Sequence, residues 1–242
     1  MYLTRFRINT ARMGARRLLT SPQALHAAVM AAFAERVAHS GQGPRVLWRI
    51  DNTADGEVLL FIVSPERPDL THLVEQAGWP ETGRWQTAPY GPFLAKLAVG
   101  ETWAFRLSAN PVHSIRRTPD ESTKRTAHIT PRHQADWLLA RQEHGGFAVL
   151  DRPAAQPGDL ESAGYELLVH SQRELAFRKT DSSSGKRLGV KLTRVTYDGR
   201  LRVTDPDALR RTLTAGLGKG KAYGCGLMTL APVAVAPVAV GP

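Results

Sequence analysis

Three stretches of this chain combine residue types that can do chemistry. The first is Gly216-Leu-Gly-Lys-Gly-Lys-Ala-Tyr-Gly-Cys-Gly226, five glycines with two lysines between them. Glycine lets a backbone turn its amides toward a ligand at close range, and lysine adds charge, so Gly218, Lys219, Gly220 and Lys221 suit a phosphate. It is not a Walker A loop, because Ala215 stands where the first glycine belongs and Ala222 replaces the Ser/Thr. It reads as following a helix and leading into a strand, the reverse of a dinucleotide fingerprint. A plain helix-to-strand connector is the alternative. The second is His26, just inside a helix announced by Ser21-Pro22. Free amides at a helix start favour a bound phosphate, and a histidine there exchanges protons near neutral pH. Periodicity alone points elsewhere: His26 shares an arc with Leu25, Val29 and Phe33, the place of a half-buried structural histidine. The third is the segment Arg173–Lys191, with Arg178, Lys179, Lys186, Arg187 and Lys191 around the polar run Asp181-Ser-Ser-Ser-Gly185. A hairpin with basic flanks and a polar tip suits the phosphates of an RNA duplex, with a solvated loop as the alternative. Arg116 and Arg117 add a basic turn after a strand.

Other chemistries find no foothold. The eight histidines form no H-E-x-x-H or comparable pair, so no metal site and no cofactor are expected. There is no G-x-S-x-G elbow, and the single cysteine, Cys225, excludes an intrachain disulfide. The aromatic-rich signature of an RRM stacking reader is also missing.

Charge points to the partner. The chain holds 32 Lys+Arg against 22 Asp+Glu, a net charge of +10. Residues 1–34 carry five arginines and no acid, while residues 173–221 carry thirteen basic residues against five acids. Two separated basic clusters favour a polyanion over an evenly solvated surface. The longest apolar run, Ala27–Ala34, is far short of the roughly 20 residues of a membrane span. No secretory signal is visible, so a soluble, cytoplasmic protein without a membrane partner is expected.

The elements that must position these groups follow from pattern. Tyr2–Ile8 alternates as a strand; a helix runs from Pro22 through Leu25, Val29, Phe33 and Val37 toward Gly41. Val46–Ile50 and Val58–Val63 read as strands joined through Asp55-Gly56, then a short helix from Asp69 to Gly78 and a strand near Arg84–Tyr90. That order, βαββαβ, is the ferredoxin-like unit. It repeats more loosely: strand Thr102–Ala109, helix from Thr130-Pro131 to Gly145-Gly146, and strands at Phe147–Leu150, Tyr165–His170 and Glu174–Lys179. Val190–Thr196 and Leu201–Thr204 flank Asp198-Gly199, a hairpin signal. A last helix runs from Asp205-Pro206 to Gly216, and Leu227–Val233 is a final strand. The reading is α+β, two tandem ferredoxin-like domains (1–95 and 96–231), with a low-complexity tail at 232–242.

Read in order, these residues resemble the CasE endoribonucleases, the CRISPR RNA-processing subunits of type I-E Cascade complexes in the RAMP superfamily. The likeness is carried by Met-Tyr-Leu-Thr-Arg-Phe at the start, Ala15-Arg-Arg-Leu-Leu, Leu47-Trp-Arg49 and Phe105-Arg-Leu-Ser-Ala-Asn-Pro111. It continues through Trp137-Leu138, Gly145-Gly-Phe147, Asp198-Gly-Arg-Leu-Arg-Val-Thr-Asp-Pro206 and the glycine-rich loop. The resemblance implies a protein that binds a CRISPR repeat hairpin and cuts at its 3′ base without a metal. It leaves a 2′,3′-cyclic phosphate and keeps the product as part of Cascade. It makes His26 the acid/base residue and Arg16 and Arg17 RNA contacts, and it implies a monomer outside the complex. The family often has a tyrosine three residues before that histidine; here the position is Gln23, an amide that donates hydrogen bonds but cannot serve as a phenolic acid. A non-catalytic RNA-binding subunit is the competing reading.

Overall fold

The structure, a computed structural model, describes residues 1–34, 43–79, 85–115, 124–152, 164–180 and 187–233. At 115, 124–125, 178–180 and 187–188 it describes the backbone only. Arg116, Arg117, Lys186, the 181–185 run and tail residues 234–242 lie outside the described residues.

The first unit contains β1 (Tyr2–Ile8), α1 (Met13–Thr20), α2 (Pro22–Met30), β2 (Leu47–Asn52), β3 (Val58–Ser64), α3 (Thr71–Ala77) and β4 (Gln86–Pro89). Its strands lie in the order β2-β3-β1-β4, all neighbours antiparallel, which is ferredoxin-like topology. Alternation decides the faces: Thr4, Phe6 and Ile8 are buried beneath the helices while Arg5 and Arg7 are exposed. The helix α1 departs from the sequence expectation, because it is eight residues long and has no side-chain cap to announce it. It buries Ala15 and Leu18 and leaves Arg16 and Arg17 in solvent. Arg12 fixes its start by donating to the carbonyls of Val74 and Gly78 at 3.2 and 3.1 Å. The helix carrying His26 is therefore the second one, and it stops at Met30 rather than continuing toward Gly41.

Helix α4 (Gly91–Lys96) leads into the second unit, and its Leu94, with Tyr90 and Leu97, packs into the second core. Arg210 holds it there, donating to the carbonyls of Leu94 and Leu97 at 2.7 and 2.9 Å. The second unit comprises β5 (Thr102–Ala109), β6 (Val112–Ile115), β7 (Lys124–Ala127), α5 (Pro131–Leu139), α6 (Gln142–Gly145), β8 (Phe147–Val149), β9 (Leu167–Thr180), β10 (Arg187–Val203), α7 (Pro206–Ala215), a 3-10 turn (Lys221–Tyr223) and β11 (Met228–Pro232). Its sheet runs β11-β5-β10-β8, the same order as the first, with β9 also paired to β10. The three Xaa-Pro starts work as caps: Ser21 accepts from the Ala24 amide, Thr130 from His133, and Asp205 from Asp207 and Ala208.

Two strand expectations are overturned. Asp198-Gly199 is not a turn; β10 runs unbroken through it. Asp198 is held by the guanidinium of Arg106 across the sheet at 2.6 and 2.7 Å. Gly199 is small because a Cβ would lie 2.4 Å from the Glu166 carbonyl oxygen and 3.0 Å from the Phe105 ring. The strands expected at 165–170 and 174–179 are one, β9, with a bulge where Ser171 takes a φ of 53°.

The two units meet along β2, which lies on β5 and β11. Arg49, 2% exposed, sits at that junction. Its guanidinium donates to both Asp51 carboxylate oxygens (2.7 and 2.8 Å), to the carbonyls of Arg106 (2.8 Å) and Leu227 (3.1 Å), and to Thr229 Oγ1 (2.8 Å). All of its donors are used. Replacing it strands a buried Asp51 whose other cation, Arg106, is 3.8 Å away. Arg49→Leu is therefore expected to cost about 3–5 kcal/mol of unfolding free energy, read by urea denaturation.

Candidate functional site

Helix α2 brings Gln23 to the surface and keeps His26 half-buried beside the buried Leu25 and Val29. The 3-10 turn of the glycine-rich loop packs against both α2 and β2. The fold therefore joins two of the three sequence candidates from opposite ends of the chain. The third touches them as well: Phe177 on β9 meets the Tyr223 ring edge-on at 4.6 Å.

The glycines of the loop have a more structural job than phosphate approach alone. Gly216, Gly218, Gly220, Gly224 and Gly226 all have positive φ. A Cβ at Gly218 would lie 2.9 Å from the Trp137 ring, and one at Gly224 would lie 2.6 Å from Trp48. The loop is seated on two tryptophans, one from each unit. Gly220 differs, its nearest atoms lying 3.6 Å from an added Cβ. Lys219 is exposed, while Lys221 is half-buried and donates to the Ala215 carbonyl at 2.6 Å. Burial, then the nearby charges of Arg45 and Lys219, push the Lys221 ammonium down to about 8.

Among the remaining sequence candidates, Arg16 and Arg17 are exposed on α1, and Lys191 is exposed on β10 opposite Ala176. Arg178, Lys179 and Arg187 belong to the backbone of the β9–β10 hairpin. Among the described residues no group of three His, Cys, Asp or Glu is placed to hold a metal ion.

The residues of two features escaped the sequence, although a ligand cleft between two similar domains is what the tandem reading leads one to expect. A cleft of about 230 Å³ opens between the units, with Leu18, Pro22 and Trp48 on one wall and Arg106, His170, Arg173 and Arg194 on the other. Burial, with the Arg173 charge, pushes the Arg194 guanidinium below its ordinary value. Asp198 is bonded to Arg106 and His170 of that wall; burial pushes its carboxyl up, but the hydrogen bonds and charges of Arg106 and His170 outweigh it and hold it below the usual carboxylate range. This wall is invisible in the sequence because β10 reads as broken at Asp198-Gly199. The second feature is a histidine trio: His128 lies 4.4 Å from His113 and 6.0 Å from His133, ring centre to ring centre. Its members come from β6, the β7–α5 connection and α5, with no local spacing to betray them.

Fold and charge define a tandem ferredoxin-like protein with cationic side chains arranged around a glycine-rich loop. A family model described as CRISPR associated protein matches residues 1–232. The CRISPR-associated endoribonuclease Cse3 of Thermus thermophilus is 33% identical over 233 residues, 96% of this chain and 100% of that one. Thermus thermophilus Cse3 bound to an RNA representing a pre-cleavage complex superposes with a TM-score of 0.68 at 30% identity, over 96% of this chain and 98% of the other. A chain of a CRISPR RNA-guided surveillance complex in its pre-nicking state shares the fold, with a TM-score of 0.61 at 23% identity, over 96% and 100% of the two chains. The chain belongs to the CRISPR-associated protein family.

The histidine trio makes a pH prediction. Burial and the charges of His113, His133 and Arg141 push the His128 imidazole below its ordinary value, with Asp136 opposing. The unfolded chain then takes up the proton first, so this contribution to stability is present above about pH 6.5 and is lost as the pH falls through the lower folded value. Acidification from about pH 7 to about pH 5 is expected to lower the thermal midpoint, and His128→Gln to flatten that dependence. A variant as acid-sensitive as the wild type refutes the assignment.

Proposed function

We propose that this protein is a metal-independent endoribonuclease that binds the repeat hairpin of precursor CRISPR RNA, cuts at its 3′ base and stays with the product among the other Cascade subunits. The observation that carries the reading is the seating of the His26 helix against the Lys221–Tyr223 turn, in a chain 33% identical to an endoribonuclease along its length. A histidine beside a cationic, amide-rich loop is what internal transesterification of RNA calls for.

The 2′-hydroxyl oxygen attacks the neighbouring phosphorus while the bond to the 5′-oxygen of the next nucleotide breaks. The products are a 2′,3′-cyclic phosphate and a 5′-hydroxyl. His26 moves a proton at the attacking 2′-oxygen or at the leaving 5′-oxygen, a step in which a positioned acid or base contributes about 10²–10⁴-fold. The partial positive charge at the start of α2 offsets charge on the phosphorane. Gln23, exposed one turn before His26, is placed to hydrogen-bond the substrate but not to exchange its proton. Arg16, Arg17, Lys191 and the β9–β10 hairpin supply contacts to the phosphates of the stem.

Gln23 also supports a second reading, a subunit of the same fold that holds guide RNA without cutting. A labelled repeat hairpin incubated in EDTA separates the two. The enzyme yields a cyclic phosphate end, and a 2′-deoxy substitution before the scissile phosphate abolishes cutting without weakening binding. His26→Ala is expected to bind the hairpin normally and to cleave about 10²–10⁴-fold more slowly. Wild-type cleavage by that variant, or cleavage that EDTA abolishes and Mg²⁺ restores, removes this mechanism.

A further inference from the structure

On the far side of the glycine-rich loop lies a second basic hollow, of about 770 Å³, between α7, the α5–α6 corner and the loop itself. Its charged walls are Arg45, Arg141, Arg211, Lys219 and Lys221, with His144 at the rim. Among the described residues no carboxylate lines it. Five cations gathered without an anion repel one another, and a fold keeps such an arrangement at a cost that a bound anion removes.

The groups are positioned rather than merely crowded. The Arg45 backbone amide donates to the Thr214 carbonyl at 3.2 Å, pinning the residue to the end of α7. Its Nε is buried and has no hydrogen-bond partner among the described residues, an unfilled donor of the kind that buried guanidiniums rarely leave. Arg141 lies over the Trp137 ring at 4.3 Å and donates to the Trp137 carbonyl at 2.6 Å, which fixes the remainder of its fork. Trp137 is also the side chain on which Gly218 rests. Burial lowers the proton affinity of Arg45 and Arg141, and Lys221 is lowered further by Arg45 and Lys219.

We propose that this hollow is a phosphate-binding site for the RNA strand that continues beyond the hairpin, held by Arg45, Arg141 and Arg211 together with the loop lysines. The inference rests on the nuclease reading above, since the 3-10 turn that walls the hollow also packs against the His26 helix. A strand cut or held at His26 and carried past this turn reaches the hollow directly. Planar guanidiniums match phosphodiester oxygens in pairs, which fits a backbone contact that is indifferent to base sequence.

Two 2′-deoxy-blocked RNAs test it, the repeat hairpin alone and the same hairpin with a short single-stranded extension at its 5′ or 3′ side. Wild-type full-length protein is expected to bind one extended form more tightly than the bare hairpin. Arg211→Gln, at an exposed position, and Arg45→Lys, which keeps the charge and loses the fork, are expected to erase that gain while leaving bare-hairpin affinity unchanged. In Arg211→Gln, which removes one cation, the salt slope for the extended RNA is expected to fall by about 1. No gain from either extension, or equal losses on bare and extended RNA, overturns the proposal while leaving the nuclease reading intact. Failure to bind the hairpin at all sinks both. A thermal shift of the wild type by millimolar inorganic phosphate, abolished in Arg45→Lys and unaccompanied by an extension gain, reassigns the hollow to free phosphate.

Discussion

Arg49 is the fixed point of this molecule. A guanidinium removed from water is tolerable only when every donor is met, and here the acceptors come from both units: Asp51 on its own strand, and Arg106, Leu227 and Thr229 from the other. A hydrophobic contact at the same place can slide by an ångström at little cost. A fork of directed hydrogen bonds cannot. That fork fixes the register of β2 on the second unit, beside the apolar contacts that Leu47 and Val63 make in the second core. Asp51 in turn faces Arg106, which grips Asp198. The polar chain then runs on to His170, whose Nε2 lies 3.0 Å from Asp198, so the order imposed at the junction extends to the floor of the cleft.

The glycine-rich loop completes the same arrangement from the other direction. Trp48 belongs to the first core and Trp137 to the second, and the loop lays glycines against both. Flexible in sequence, it is confined in the fold. Lys221 is held in place with it, its ammonium donating to the Ala215 carbonyl.

Legibility followed locality. The three Xaa-Pro caps announce α2, α5 and α7, because the capping oxygen, the proline and the first apolar turn are neighbours in the chain. The four strands of the first unit are readable from alternation, whereas in the second β9 and β10 each read as two strands and β6 and β7 go unread. Helix α1 is not, since its eight residues depend on packing against α2 and α3 rather than on a local signal. Asp198-Gly199 misleads because turn chemistry and close packing call for the same residues; only Arg106 and Glu166, distant in sequence, distinguish them. For the site, His26 on its own pattern looks structural, and it is indeed half-buried. Its chemical reading comes from the resemblance to the CasE endoribonucleases; the loop turn that packs against its helix is one that sequence cannot bring near it. Arg45, Arg141 and Arg211 are unreadable for the same reason, each coming from a distant part of the chain.

The bulge at Ser171 has a further effect on the face of β9. An uninterrupted strand places every second residue on one side, so the side that carries His170 would go on to present Gln172, Glu174 and Ala176. The extra residue moves the pairing from His170 opposite Thr196 to Arg173 opposite Arg194, and the face continues instead with Arg173, Leu175 and Phe177. Gln172 turns away and accepts a hydrogen bond from Gln134 at 2.7 Å. One inserted residue thus acts as a phase shifter. It puts the Arg173 guanidinium, in place of the Glu174 carboxylate, on the cleft wall beside Arg194, and the same change of phase brings Phe177 onto Tyr223. Length change at this single point, with no substitution anywhere, is enough to replace one positive charge with a negative one beside Arg106 and Arg194.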